Sequence, residues 1–358
     1  MINNTEIKKA IICKSVKNFK ISTAGINHYI PKAGDVAIFE VLSIGKHKAI
    51  QGASGKNSYI FPGDTIMATF GNRYATNQFE GYVPTQVEEQ YQILGQGGCI
   101  GVLKSTHAKF DKIGATELKL LGYAVDETGG IINTKYLTEK PLPFKPEKKR
   151  DYEVILSVGS SMDSGKTTSA AYLCRGINKA GKTVGFIKLT GTVYSRDKRF
   201  VKDCGAHTAL DFSNLGFPST YMSPLAEILD IYETLLAKLE EINPDYVVVE
   251  IADGLLQRET KMLLHNPAFM STVNHIMLSC GDSLGVLSGL SFLENINRTP
   301  FAISGLINVS PLLVDECKRS TSIPVLDLKD LECPQVVNRL PKKKVMKNGV
   351  PALIQKIA

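Results

Sequence analysis

The 358-residue chain is informative first for what it lacks. No apolar run approaches the roughly 18–20 residues needed to cross a bilayer as a helix, so no membrane span is expected. The opening Met1-Ile2-Asn3-Asn4-Thr5-Glu6 does not have the charged-then-apolar layout of a secretory leader. The seven cysteines (Cys13, Cys99, Cys174, Cys204, Cys280, Cys317 and Cys333) are odd in number and contain no C-x-x-C pair. That excludes the common zinc-knuckle spacing and suits reduced thiols, so a cytoplasmic setting is expected. The six histidines show no H-E-x-x-H or related spacing, and neither a G-x-S-x-G elbow nor a thiol-nucleophile context is present. Zinc-hydrolase and serine-hydrolase chemistry therefore have no foothold.

What is present is ordinary for a globular protein: 43% hydrophobic and 22% charged residues. The length suits two domains, each with its own core. The net charge of +7 is concentrated in Lys140–Arg150, with five basic residues, and in Lys342-Lys343-Lys344 with Lys347. Because these runs fall in a linker and a tail, a solvated role is expected rather than nucleic-acid binding.

The clearest boundary is Glu139–Arg150, where three prolines remove backbone donors and favour extended chain. Before it, residues 1–138 read as a β-rich barrel or sandwich. Val36–Ile44, Ser58–Phe61 and Thr65–Phe70 alternate with glycine turns. Within this region Phe70–Tyr82 is polar and aromatic, either a ligand loop or an ordered turn. Gly95–Gly101 is glycine-rich but follows no convincing strand.

After the 139–150 linker, residues 151–335 alternate strand and helix patterns, and 336–358 form a basic tail. Apolar runs at Val154–Val158, Val184–Leu189, Tyr246–Ile251, Val273–Ser279, Phe301–Ile307 and Pro324–Leu326 have buried-strand length. Leu225–Ile242 carries apolar residues every three or four positions, with Ser223 as candidate N-cap and Pro224 at the first helical position. This alternation implies an α/β domain with a mostly parallel sheet.

The chemistry concentrates in Val154-Ile-Leu-Ser-Val-Gly-Ser-Ser-Met-Asp-Ser-Gly-Lys-Thr-Thr168. A buried strand enters a Gly/Ser loop, and Lys166-Thr167-Thr168 opens a helix. Amides of Gly159, Ser160, Ser161, Met162, Asp163, Ser164, Gly165, Lys166, Thr167 and Thr168 would cradle phosphates. Lys166 would reach the outer phosphates, and the Thr167 hydroxyl would ligate magnesium. ATP or GTP with magnesium is the expected ligand. Glu250 ends an apolar strand, where an unpaired carboxylate is costly, so either magnesium or a structural ion pair must accompany it. Lys188–Arg199 follows the second strand and reads as a substrate lid or a solvated basic loop. Arg196, Lys198 and Arg199 are its candidate anion ligands, and Arg258 is another.

Gly159 and Gly165 enclose five residues, one more than the usual phosphate loop. That longer loop, with Asp163 inside it, resembles dethiobiotin synthetase. The wider class includes cobyrinate amidating enzymes, molybdopterin-guanine accessory GTPases and partitioning ATPases. The resemblance implies a catalytic role for Lys188 near the reacting carboxylate and phosphate, beside Lys166. Asp163 would orient a lysine or a partner subunit. It implies Asp203, fifteen residues beyond Lys188, as a magnesium ligand in preference to Asp197 and Asp211, with Thr167 and Glu250 completing the set. Asn308, in Asn308-Val-Ser-Pro311, falls where the class often recognises adenine, although Asn-x-x-Pro is also a common turn. The site would lie at a homodimer interface. Dethiobiotin synthetase has no β-rich N-terminal domain, so a different substrate is expected. The implied activity is an ATP-dependent ligase or phosphotransferase that activates a small carboxylate or carbamate as a phosphoanhydride. The alternative is a nucleotide-dependent switch or assembly protein whose β domain binds a partner.

Overall fold

The computed structural model describes residues 7–341; the basic run at Lys342–Lys344 and Lys347 lies outside the described residues. No described helix is long and apolar enough to cross a membrane.

The N-terminal strands are Lys8–Lys9 (β1), Lys20–Ser22 (β2), Val36–Ser43 (β3), Ala49–Gln51 (β4) and Asn57–Tyr59 (β5). They continue with Thr65–Phe70 (β6), Phe79–Tyr82 (β7), Tyr91–Gly95 (β8), Cys99–Thr106 (β9) and Glu117–Val125 (β10). Pairing runs from β6 through β3, β10, β8 and β9 and returns to β6, closing five strands into a small barrel. Closure removes the exposed edges that an open sheet would present. Phe39, Phe70 and Tyr91 pack edge-on with ring centroids 5.3–6.1 Å apart. The glycine-rich Gly95–Gly101 proves to be the β8–β9 turn, with Gly98 at φ +99°. β4 and β5 form a separate hairpin.

The second sheet contains Glu153–Gly159 (β11), Val184–Lys188 (β12), Thr208–Asp211 (β13), Tyr246–Glu250 (β14), His275–Ser279 (β15) and Ala302–Ser304 (β16). Its order is β13-β12-β14-β11-β15-β16 and every pairing is parallel. Successive side chains point to opposite faces. Val248 accordingly packs with Ala170, Leu173 and Ile177 of α1 (Lys166–Lys179). Val247 and Val249 join Ile228, Leu235 and Leu239 of α3 (Leu225–Glu240) on the other side.

Three local expectations are corrected. Pro324–Leu326 contributes only an isolated Ile303–Val325 bridge. The short, half-buried β13 was not foreseen, because Thr208-Ala-Leu-Asp211 is neither long nor strongly apolar. At α3, Pro224 itself is the N-cap, in extended geometry, and Ser223 makes no cap.

The 139–150 segment is not a free linker but a strap along α3. Its prolines leave few N–H groups, and those of Leu142, Phe144 and Lys145 donate to Thr234, Asp230 and Glu233. Arg150 pairs with Glu233 at 2.6 Å, the side chains only 6% and 4% exposed. The fold also runs past residue 335, since Val336 and Leu340 are buried against α1.

Removing Glu233 would leave Arg150 buried without its counter-charge, whereas the Lys148–Glu240 pair is about one-third exposed. Glu233→Ala should therefore destabilise the protein by about 3–5 kcal/mol, and Lys148→Ala by less than about 1 kcal/mol. Thermal unfolding reads both, and equal effects would contradict the strap's burial.

Candidate functional site

The site sits at the carboxyl ends of the central strands, where open α/β sheets bind ligands. β11 ends at Gly159, and the chain loops through Ser160–Gly165 before α1 begins at Lys166. A Cβ on Gly159 would lie 2.2 Å from Ser164 Oγ, and one on Gly165 would lie 2.9 Å from Gly305 Cα. Gly165 also adopts φ +94°, which only glycine takes without strain. The loop is anchored by Ser160 N–H donating to Ser279 O and Leu306 N–H donating to Ser164 O. It surrounds a cavity of about 370 Å³ lined by Asp163, Lys166, Thr167, Lys188, Glu250 and Asp253, among others.

Lys166 is buried, and its ammonium donates to Ser161 O at 2.8 Å. Burial lowers its pKa, opposed by Glu250 and Asp253. Thr167 Oγ1 donates to Glu250 Oε1 at 2.8 Å. Lys188 Nζ lies 3.5 Å from the same Oε1 and pairs with Asp197 on α2 (Arg196–Cys204). Burial pulls the Lys188 amine down, but Glu250 and then Asp197 outweigh it and hold it above its ordinary value. Glu250 is 1% exposed, and its Oε2 has no hydrogen-bond partner among the described residues.

That orphaned carboxylate oxygen beside a threonine hydroxyl fits magnesium, which takes one or two protein oxygens and completes its shell with phosphates and water. Among the described residues no group of three or more His, Cys, Asp and Glu side chains is arranged to hold a metal alone.

The structure brings together the whole 159–168 loop, Lys188 and Glu250. It places Asp203 elsewhere: this residue is exposed on the last turn of α2 and does not line the cavity. Asp211 is committed to Ser213 and Lys198. Besides Asp163 and Glu250, the carboxylates that line the cavity are Asp197, which competed with Asp203 on spacing, and Asp253, which sequence reasoning missed. Asp253 could have been found from its place three residues beyond Glu250 in a loop leaving the carboxyl end of a central strand. Burial holds its carboxyl above the ordinary range, against the pull of Lys166, Lys188 and Arg73. Lys198 bonds Asp211 and Asn214, and Arg258 bonds Ser223 O and Glu259. Neither lines the cavity.

Asn308 borders a second cavity of about 300 Å³, which shares Gly165, Thr168 and Leu306 with the first. Its Nδ2 donates to Leu326 O at 2.9 Å. The Phe70–Tyr82 segment reaches the site from the barrel: Asn77 Nδ2 donates to Asp163 Oδ2 at 2.8 Å. Asp163 itself has φ +60°.

Strand, glycine loop, Lys-Thr helix start and a strand-terminal glutamate define the class: the chain carries a P-loop NTPase domain, joined to a β barrel. No family model matches the chain, and no curated protein matches it. Solved structures do. The signal recognition particle 54 kDa protein of Aeropyrum pernix K1, in complex with GDP, aligns at 18% identity and TM-score 0.36, over 55% of this chain and 48% of that one. Chloroplast FtsY of Physcomitrella patens aligns at 19% and 0.37, over 55% and 67%. A nucleotide-binding protein of Archaeoglobus fulgidus, in complex with ADP, aligns at 12% and 0.30, over 53% and 89%. The chain spans about half the length of the first of these. Likeness at this level says nothing of activity or partner.

A carboxyl whose folded pKa is raised stabilises the fold only while protonated; that contribution is lost as pH rises from below its ordinary 3.8 through the folded value. Asp253→Asn should therefore raise the melting temperature at pH 7, with the gain vanishing in acid, where the native carboxyl is also neutral. A lower melting temperature at pH 7 would show that a pairing holds Asp253 charged.

Proposed function

We propose that this chain is a magnesium-dependent ATPase of the switch type, whose nucleotide state is relayed to the barrel. The observation that carries the proposal is the Lys166–Thr167–Glu250 constellation lining the cavity of about 370 Å³, with Glu250 Oε2 unsatisfied among the described residues. Loop amides and the α1 N-terminus would bind the phosphates, and Lys166 would leave Ser161 O for the γ-phosphate. Magnesium, held by Thr167 and Glu250, would neutralise charge between the β- and γ-phosphates. Lys188 would stabilise charge on the transferring phosphoryl group. Asp253, which lines the cavity, would orient the attacking water and accept its proton. The second cavity would take the base. Asn308 spends its amide nitrogen on Leu326 O, which would leave Oδ1 to accept from an exocyclic base amine, the N6 of adenine or the N2 of guanine.

The switch reading comes first because the Lys188–Arg199 stretch, expected as a substrate lid or a solvated basic loop, is tied to the barrel, with the Ser195 amide donating to Gln51 Oε1. Lys188 supports the second reading, a ligase that activates a small anionic acid. Turnover that requires a macromolecule favours the switch, and turnover that requires a small acid favours the ligase. A homodimer is supported by Leu256, Leu284, Val309 and Leu312, each at least 74% exposed. Sedimentation with and without nucleotide reads it.

Lys166→Ala should weaken ATP binding in magnesium by about fiftyfold and abolish hydrolysis, measured by equilibrium dialysis and phosphate release. Unchanged affinity and turnover would remove the nucleotide from this loop.

A further inference from the structure

The barrel touches the nucleotide site at two separate points. At the first, Asn77 holds Asp163, the left-handed residue at the tip of the phosphate loop. At the second, the buried Gln51 of β4 accepts from the Ser195 amide at 2.9 Å, while its own Nε2 donates to Gly55 O at 3.1 Å. Ser195 is the N-cap residue of α2, and two residues later Asp197 occupies Lys188. The close approach around Gln51 depends on glycines in the barrel. A Cβ on Gly97 would lie 2.1 Å from Val193 O, and one on Gly55 would lie 2.7 Å from Arg199 Nη1. Asn57 Nδ2 also reaches the Tyr194 hydroxyl at 3.3 Å. The chain segment that carries Asp197 is therefore set by the barrel as much as by its own sheet.

We infer that Gln51 and Asn77 are positioning residues of the nucleotide site, and that barrel docking and nucleotide occupancy are thermodynamically coupled. This rests on the nucleotide reading above and extends it to regulation. If the barrel fixes where Asp163 and Asp197 sit, loosening either contact lowers nucleotide affinity. Reciprocally, bound nucleotide tightens the seam by the same factor. Neither residue lines the cavity; each acts through one that lines it or lies close in sequence to one that does.

The test uses the full chain. Asn77→Asp places like charges together, whereas combined with Asp163→Asn it restores the hydrogen bond with donor and acceptor exchanged. Calorimetry with ATP and magnesium should show Asn77→Asp costing about fivefold in affinity in the wild-type background. In the Asp163→Asn background it should cost less than about twofold. An equal cost in both backgrounds would overturn the coupling at Asn77. Hydrogen exchange supplies a readout that needs no nucleotide: Gln51→Leu, of similar volume, should deprotect residues 192–199 while β11 and β14 stay protected. Unchanged protection there would overturn the role of Gln51. Wild-type protein that binds no nucleotide would instead sink the function proposed above, and the exchange result would still decide the positioning.

Discussion

The site depends on one costly arrangement, a carboxylate buried at the end of a central parallel strand. Glu250 has left water almost completely, and an ionised group in that position needs compensation from whatever surrounds it. Thr167 and Lys188 supply part of it through one oxygen, and the other oxygen has no partner among the described residues. The same burial acts on Lys166, lowering its pKa, and on Asp253, raising it. A cluster of desolvated charges of both signs around a cavity suits a ligand that brings its own anions and cation. The parallel register explains how the cluster is assembled, because Lys188 pairs directly with Glu250 across β12 and β14 and Ser157 with Glu250 across β11 and β14. Three chain-distant strands therefore end together.

Much of this was legible in the sequence because local pattern and tertiary role agree there. Val154–Thr168 announces a buried strand, a nest-forming loop and a helix start in one stretch, and Tyr246–Glu250 announces a buried strand with an anomalous charge at its end. Spacing along a chain carries no direction in space. Asp203 follows Lys188 at the implied distance, but it lies inside α2, which begins at Arg196. Six residues of helix carry Asp203 about 9 Å beyond Asp197, out to solvent. The 139–150 strap looked like solvated linker because prolines and charges have that signature. Its acceptors, Asp230, Glu233 and Thr234 on α3, lie more than eighty residues away.

The barrel shows a different limit of sequence reasoning. Its closure could be suspected from short strands and glycine turns, but its contacts with the second domain are encoded by no local pattern. Gln51 and Asn77 are unremarkable in sequence, and the glycines at 55 and 97 read as turn residues. In the folded chain they mark where a second backbone passes close by, at Arg199 and Val193. A domain that looked like a separate partner-binding module is thus built against segments beside this cavity.

The central claim is that this cavity binds a nucleoside triphosphate through magnesium. Calorimetric titration of wild-type protein with ATP, first in magnesium and then in excess chelator, tests it most directly. Saturable binding that is strong with magnesium and collapses when the ion is removed is the predicted result. Absence of binding by both ATP and GTP, or equal affinity with and without the ion, would contradict the account.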